Sequence, residues 1–147
     1  MLKKMFLFGT LSLLLVSCDV RKKDASASVN GLQKPVAVKD PTTVQIIDSA
    51  YNFGQVTEGD IVEYNYRFKN TGAKPLVITS TSASCGCTVP EKPEQPVLPG
   101  EIGFIKVKFN SEHRVGQAHK TISVESNAEP AFPELVLTGE VKEKSKQ

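Results

Sequence analysis

The chain has 147 residues, of which 39% are hydrophobic and 23% charged, with 18 lysines and arginines against 16 aspartates and glutamates. This length suits one domain. The near balance of charge, together with the lack of any DNA- or RNA-reading motif, argues against a nucleic-acid-binding protein.

The N-terminus has the pattern of a lipoprotein export signal, predicted to cover residues 1–17. Lys3 and Lys4 precede a short apolar run, residues 5–16, and a small-residue box ends directly before Cys18. The run is too short for a membrane-spanning helix, which needs about 20 residues. We therefore predict that the mature chain begins at Cys18 and that acyl chains such as palmitate anchor this residue in a bacterial membrane.

Loss of the signal also removes Lys3 and Lys4, which leaves 16 basic and 16 acidic residues in the mature chain. The alternative to an export signal is a buried N-terminal segment with an ordinary core cysteine. This alternative does not explain the charged run that follows at residues 21–24. We expect a lipid-anchored protein at the bacterial cell membrane or outer membrane. Its domain would lie in the periplasm or on the cell surface.

Residues 18–41 are predicted to form the lipidated N-terminus and a flexible linker. This segment is small, polar and charged, with too little apolar periodicity for packed structure. As a flexible chain it has a root-mean-square reach of roughly 25 to 30 Å. In the alternative interpretation, residues 36–38 add an edge strand to the domain that follows.

After Thr42 the pattern becomes that of β-strands. It is clearest at residues 62–69, where Val62, Tyr64, Tyr66 and Phe68 alternate with polar side chains, as on a half-buried antiparallel strand. Similar or shorter patterns bring the count to about seven strands, the others being residues 44–47, 53–56, 76–79, 105–109, 121–125 and 135–137.

The turns between these segments are rich in Gly, Pro and Asn, and no segment after the signal has a convincing helical period. Residues 42–141 are therefore predicted to be all-β, an immunoglobulin-like antiparallel β-sandwich of about seven strands, followed by a charged C-terminal tail, residues 142–147. Tryptophan is absent, so the cysteine and tryptophan core of antibody domains is not expected.

The strands and turns also contain an ordered set of short motifs, which are Phe53-Gly54-Gln55-Val56, Glu58-Gly59, Phe68-Lys69-Asn70-Thr71-Gly72, Pro75-Leu76, Ile78, Ser84-Cys85-Gly86-Cys87-Thr88, Pro99-Gly100-Glu101 and Ser126-Asn127. Together they resemble the family called domain of unknown function 1573 over about residues 42–141. The resemblance implies an exported bacterial protein, often a lipoprotein, with an immunoglobulin-like sandwich similar to the Hydin-type modules of cilia. It implies no activity, because the family has none assigned.

Three cysteines are present, and lipid on Cys18 leaves Cys85 and Cys87 as one pair. On a regular strand their Cα atoms would lie roughly 6.6 Å apart, at the long end of what a disulfide accepts, and Gly86 could supply a bend that closes the gap. A disulfide around so small a loop would stabilise the fold by only about 1.5 kcal/mol. Stabilisation of the fold by a disulfide therefore explains the presence of the pair poorly.

Three interpretations of the pair remain open. The first is a local disulfide, or two inert thiols, that fixes a turn. The second is a redox role, although the thioredoxin spacing and a helix start that would lower the thiol pKa are both missing. The third is soft-metal binding of Cu(I), or of zinc with His113 or His119 as a further ligand.

No catalytic motif is present, so we expect no enzyme activity, no cofactor and no small-molecule substrate. The expected function is that of a membrane-anchored module that binds or organises an envelope protein or glycan, an expectation based on fold analogy. The alternative is a thiol redox or copper-handling lipoprotein that uses Cys85 and Cys87. Asp48-Ser49-Ala50 also matches a bacterial O-glycosylation pattern, which makes Ser49 a hypothetical modification site.

Overall fold

The structure, a computed structural model, describes residues 40–145. The predicted signal peptide, the lipid site at Cys18 and nearly all of the predicted linker lie outside these residues. The described part is built from strands and contains no helix long and apolar enough to cross a membrane. The eight strands are β1 (Val44–Ile46), β2 (Ala50–Thr57), β3 (Ile61–Asn70), β4 (Ile78–Ala83), β5 (Thr88–Glu91), β6 (Ile102–Asn110), β7 (Gly116–Ser126) and β8 (Leu135–Lys142).

The strands form two four-stranded sheets, one in the order β1-β3-β6-β5 and the other in the order β2-β8-β7-β4. The prediction of an all-β sandwich is confirmed. The pairing differs from the expected pattern in one place, since β2 lies parallel to β8 while the other strand pairs are antiparallel. The chain crosses between the sheets at both edges of the sandwich, from β1 to β2 and from β4 to β5.

β5 is the strand that the sequence pattern did not predict. It contains Pro90, which has no N–H to donate to a neighbouring strand. In the structure β5 is an edge strand that pairs only with β6, where Pro90 lies opposite Val107. An edge position leaves one side of a strand unpaired, so the missing N–H of a proline is tolerated there.

The core lies between the sheets and is filled by the inward-facing residues of the alternating strands. The large side chains that are almost fully buried come from both sheets and from one loop, and they include Tyr66, Phe68, Leu76, Ile105, Phe109, Ile122, Leu135 and Leu137. Burial of these side chains supplies the main favourable contribution to folding.

Asn70 holds the loops together at one end of the sandwich. Its amide oxygen accepts hydrogen bonds from the Thr42 hydroxyl and the Gly72 N–H, and its amide nitrogen donates to the carbonyls of Lys74 and Val97. The side chain is completely buried, so each of these four bonds replaces a bond to water.

Asn127 plays a similar part at the same end. Its amide oxygen accepts from the Val77 N–H, and its amide nitrogen donates to the carbonyls of Asp40 and Pro75. Asn70 and Asn127 each belong to one of the motifs by which the chain resembles the family. In this structure both side chains position the loops that flank the sheets.

Candidate functional site

The cysteine turn, residues 84–88, lies where the chain crosses from β4 to β5. Cys85 and Cys87 are joined there as a disulfide with their Cα atoms 5.4 Å apart, closer than on a regular strand. The reason is a tight turn, in which the Thr88 N–H donates to the Cys85 carbonyl at 3.2 Å. The bend that Gly86 was expected to supply is thus part of a hydrogen-bonded turn.

Main-chain hydrogen bonds fix this turn to strands of both sheets. The Ser84 N–H donates to the Thr121 carbonyl on β7, and the Ser84 hydroxyl accepts from the Thr121 N–H. The Cys87 carbonyl accepts from the N–H of Asn110, which ends β6. The turn is therefore held by its backbone as well as by the disulfide.

The two sulfurs share one buried neighbour. The hydroxyl of Thr88, a residue only 3% exposed, lies 3.6 Å from the Cys85 Sγ and 4.0 Å from the Cys87 Sγ. Both cysteines are half-buried, but Cys87 packs against the hydrophobic core whereas Gly86 at the tip is exposed.

In the described part of the chain, neither of the two histidines considered as metal ligands belongs to a group of three or more candidate ligands. His113 is exposed in the turn between β6 and β7, where its Nδ1 lies 3.6 Å from a Glu58 carboxylate oxygen. His119 is exposed on β7, opposite Thr138. Among residues 40–145, no three or more His, Cys, Asp or Glu side chains are grouped so that they could hold a metal ion.

Two other predicted modification sites, Cys18 and Ser49, remain untested. Cys18 lies outside the described residues, so its lipidation stays a prediction. Ser49 is exposed in the crossing from β1 to β2, where its carbonyl accepts a hydrogen bond from the Val136 N–H. Its glycosylation also stays a hypothesis.

A second surface feature was not predicted. The outer patch is an apolar and basic area on the solvent face of the sheet that contains β3 and β6. Phe104 lies opposite Arg67, and Ile102 lies opposite Lys69. Ile47 lies on the other side of β3, where its N–H donates to the Arg67 carbonyl. The outer patch comprises Ile47 (40% exposed), Ile102 (50%) and Phe104 (49%). It also includes Arg67 and Lys69 on β3, the strand that lies between Ile47 and the two residues of β6.

The two basic side chains of the outer patch differ in whether a carboxylate lies beside them. Arg67 donates to both carboxylate oxygens of Asp48, at 2.7 and 3.1 Å. These hydrogen bonds hold the pKa of the Asp48 carboxyl below its usual range. Lys69 has no carboxylate within 4 Å among the described residues, so the patch keeps a positive charge beside its apolar side chains.

Further along the same face the charges compensate one another. Glu63 lies within 4 Å of Lys106 and Lys108, and Glu91 lies 3.8 Å from Lys108. These exposed pairs contribute little to stability. They separate the outer patch from the other end of the sheet.

The sequence did contain a signal for the outer patch. Ile105, Val107 and Phe109 follow the inward alternation of β6, but Ile102 and Phe104 belong to the opposite set of positions. Large apolar residues in the outward set of a half-buried strand indicate an exposed apolar area. The strand was read only from Ile105 onward, so this break in the alternation went unused.

Residues 44–141 match the family described as Protein of unknown function (DUF1573). Among curated proteins, none matches the chain.

Solved structures with the same sandwich come from several sources. A protein of unknown function from Porphyromonas gingivalis W83 has a TM-score of 0.60 and 14% identity, over 72% of this chain and 50% of that chain. The human CEP192 ASH / PapD-like domain 7 has a TM-score of 0.54 and 18% identity, over 80% and 98%. The secreted serine protease VesC from Vibrio cholerae has a TM-score of 0.50 and 12% identity, over 68% and 23%.

The present chain thus spans half the length of the Porphyromonas chain. At these identities the likeness shows the fold alone.

Proposed function

The chain belongs to the DUF1573 family, whose description assigns no activity, and we propose that it is a membrane-anchored, non-catalytic lipoprotein. In this proposal the immunoglobulin-like domain binds another macromolecule in the bacterial cell envelope. Acyl chains on Cys18 hold the N-terminus in the membrane, and the linker carries the domain clear of the lipid head groups. A rigid sandwich suits this role because it presents strand faces and loops without a reactive site.

The outer patch is the observation that carries the proposal. Phe104 and Ile102 are about half exposed and lie two residues apart on the outward face of β6, and Ile47 is exposed on the other side of β3. Clustered exposed apolar side chains mark interaction sites, and aromatic residues and arginine are enriched in protein interfaces. Phe104 beside Arg67 is such a combination.

The charge of the outer patch supports a particular chemistry for the partner. Asp48 is already bound to Arg67, and the carboxylates further along the face are paired with Lys106 and Lys108. Lys69 supplies the remaining positive charge. We therefore propose a protein partner with an apolar contact surface bordered by carboxylates, because opposite charges favour encounter and orient the complex.

The anchor is tested by labelling cells with palmitate. We expect label in the wild-type protein and none in Cys18→Ala, which should also leave the membrane fraction. Cys85→Ala is the matched control and should keep both the label and the membrane location. A labelled Cys18→Ala protein would contradict the anchor.

The binding surface is tested by recovery of the full chain from the native envelope after crosslinking. We expect one partner to be lost with Phe104→Ser and weakened by Lys69→Glu, and kept by Val115→Ser, which removes an equally exposed apolar side chain outside the outer patch. Equal recovery by all variants would contradict the proposal. Recovery of a glycan, or of only a second copy of this chain, would contradict the proposed partner.

A further inference from the structure

We propose that the Cys85–Cys87 disulfide is a thiol–disulfide exchange site that accepts two electrons from an exported dithiol while the domain stays folded, with Thr88 as its positioning residue. This inference goes beyond binding and does not depend on the outer patch. It rests on the access, the backbone support and the buried hydroxyl of the cysteine turn.

Access to the disulfide is open from the side of the turn. Cys85 and Cys87 are half-buried rather than buried, Gly86 between them is exposed, and a Cβ on Gly86 would meet nothing within 4 Å beyond its chain neighbours. Cys87 packs against the core, and Cys85 is therefore assigned as the sulfur that an incoming thiolate attacks. Exchange requires such an approach, because the attacking sulfur must reach one sulfur of the disulfide.

The backbone of the turn does not need the disulfide to keep its shape. The Cys85 carbonyl accepts from Thr88, the Cys87 carbonyl accepts from Asn110, and Ser84 is bonded twice to Thr121. Reduction therefore frees two side chains and leaves the Cα atoms where a disulfide can form again. The dithiol remains arranged for reoxidation.

Thr88 is the group that favours the reduced state. Its hydroxyl is within 4.0 Å of both sulfurs, and within the described part of the chain these are the only hydrogen-bonding partners of its side chain. A hydroxyl that donates to a thiolate stabilises the charged form, and a more stable thiolate is a better leaving group.

The exchange proceeds in two balanced steps. A thiolate of the reductant attacks the Cys85 Sγ, a new S–S bond forms, the bond to Cys87 breaks, and Cys87 leaves with the electron pair and takes a proton. The second thiolate of the reductant attacks its own sulfur in this mixed disulfide, and Cys85 leaves as a thiolate and takes a proton. The reductant becomes a disulfide, and the protein gains two electrons and two protons.

The test uses the full lipidated chain in detergent, with dithiothreitol as the reductant and thiols counted by alkylation and intact mass. We expect two new thiols, an unchanged β-sheet circular dichroism spectrum, and recovery of the disulfide with oxidised glutathione. Thr88→Val should slow reduction about three- to fivefold. Thr88→Ser keeps the hydroxyl and should retain the wild-type rate.

Thr81→Val is the matched control, because the Thr81 hydroxyl lies on β4 and donates to the Pro90 carbonyl rather than to either sulfur. It should reduce at the wild-type rate. The proposal is overturned if reduction abolishes the β-sheet spectrum, if the disulfide resists dithiothreitol until the chain unfolds, or if Thr88→Val and Thr81→Val behave alike.

The order of attack has its own test. With oxidised glutathione, Cys85 in the Cys87→Ser variant should form a mixed disulfide faster than Cys87 in the Cys85→Ser variant. The reverse order would overturn the assignment of Cys85 as the attacked sulfur. Envelope partners should be kept by both variants, so failure of exchange and failure of the binding proposal give different results.

Discussion

The phenol of Tyr66 on β3 donates a hydrogen bond of 2.7 Å to the main-chain carbonyl of Val136 on β8, so that one side chain links the two sheets. Burial of Tyr66, with smaller contributions from Tyr64 and Tyr51, raises the pKa of the phenol well above its ordinary value. The hydroxyl therefore remains protonated and available as a donor.

We expect Tyr66→Phe to lower the free energy of unfolding by about 1 to 2 kcal/mol, because the carbonyl of Val136 loses its buried donor. Urea unfolding followed by circular dichroism measures the change. Tyr64→Phe is the control, since Tyr64 lies on the same strand and its hydroxyl has no hydrogen bond among the described residues. Equal losses in the two variants would show that the link between the sheets contributes nothing measurable.

Asn70→Ala should be more damaging, with a loss of about 2 to 4 kcal/mol. The substitution removes four hydrogen bonds and the volume of a fully buried side chain. The former partners keep their other bonds, which join the Thr42 hydroxyl to the Lys74 carbonyl, the Leu76 N–H to the Val97 carbonyl and the Gly72 N–H to the Thr43 carbonyl. Thr43→Ala removes an exposed hydroxyl pair next to the same loops and should change stability little. If the two variants unfold at the same urea concentration, Asn70 does not organise this end of the sandwich.

Gly103→Ala tests the packing on which the outer patch rests. A Cβ at Gly103 would lie 2.3 Å from the Phe68 ring, so the ring or the strand must move, at a cost of about 1 to 3 kcal/mol. Gly86→Ala is the control, because a Cβ there meets nothing within 4 Å. Thermal unfolding should separate the two variants, and equal midpoints would contradict the tight contact with Phe68.

The fold was largely accessible from the sequence because the alternation of apolar and polar residues is strong in β3, β6 and β8. β5 was not predicted, and its four residues, which include Pro90, show no alternation of apolar and polar side chains. The parallel pairing of β2 with β8 joins residues far apart in the chain, and no local pattern records that choice.

The candidate sites also divide into local features, which the sequence reveals, and tertiary contacts, which it does not. Cys85 and Cys87 were found from their spacing, since a pair separated by one residue is local. The role of Thr88 depends on its burial, and the Asp48–Arg67 pair depends on two strands meeting. These relationships arise from tertiary contacts, so composition and spacing could not reveal them.

The Asp48–Arg67 pair should make stability depend on pH. Hydrogen bonds from Arg67 lower the pKa of Asp48 in the folded state. The resulting stabilisation is present above the unfolded-state pKa of about 3.9 and disappears as the pH falls through the lower folded-state pKa. Asp48→Asn should therefore melt below the wild type at neutral pH, and the gap should shrink in acid.

Melting temperatures of both proteins across the acidic range measure that gap. Glu63→Gln is the control, because Glu63 is exposed and its ion pairs with Lys106 and Lys108 are long. A gap for Asp48→Asn that stays constant down to strong acid would contradict the assignment to this carboxylate.

Photocrosslinking from a single position tests the binding role most directly. A photoreactive phenylalanine analogue at residue 104 places the probe in the outer patch, and the same analogue at Ser123 places it on the exposed face of β7 in the other sheet. We expect one discrete adduct with an envelope protein from position 104 and none from position 123. The binding proposal would be contradicted if both positions gave the same adducts, or if position 104 gave none.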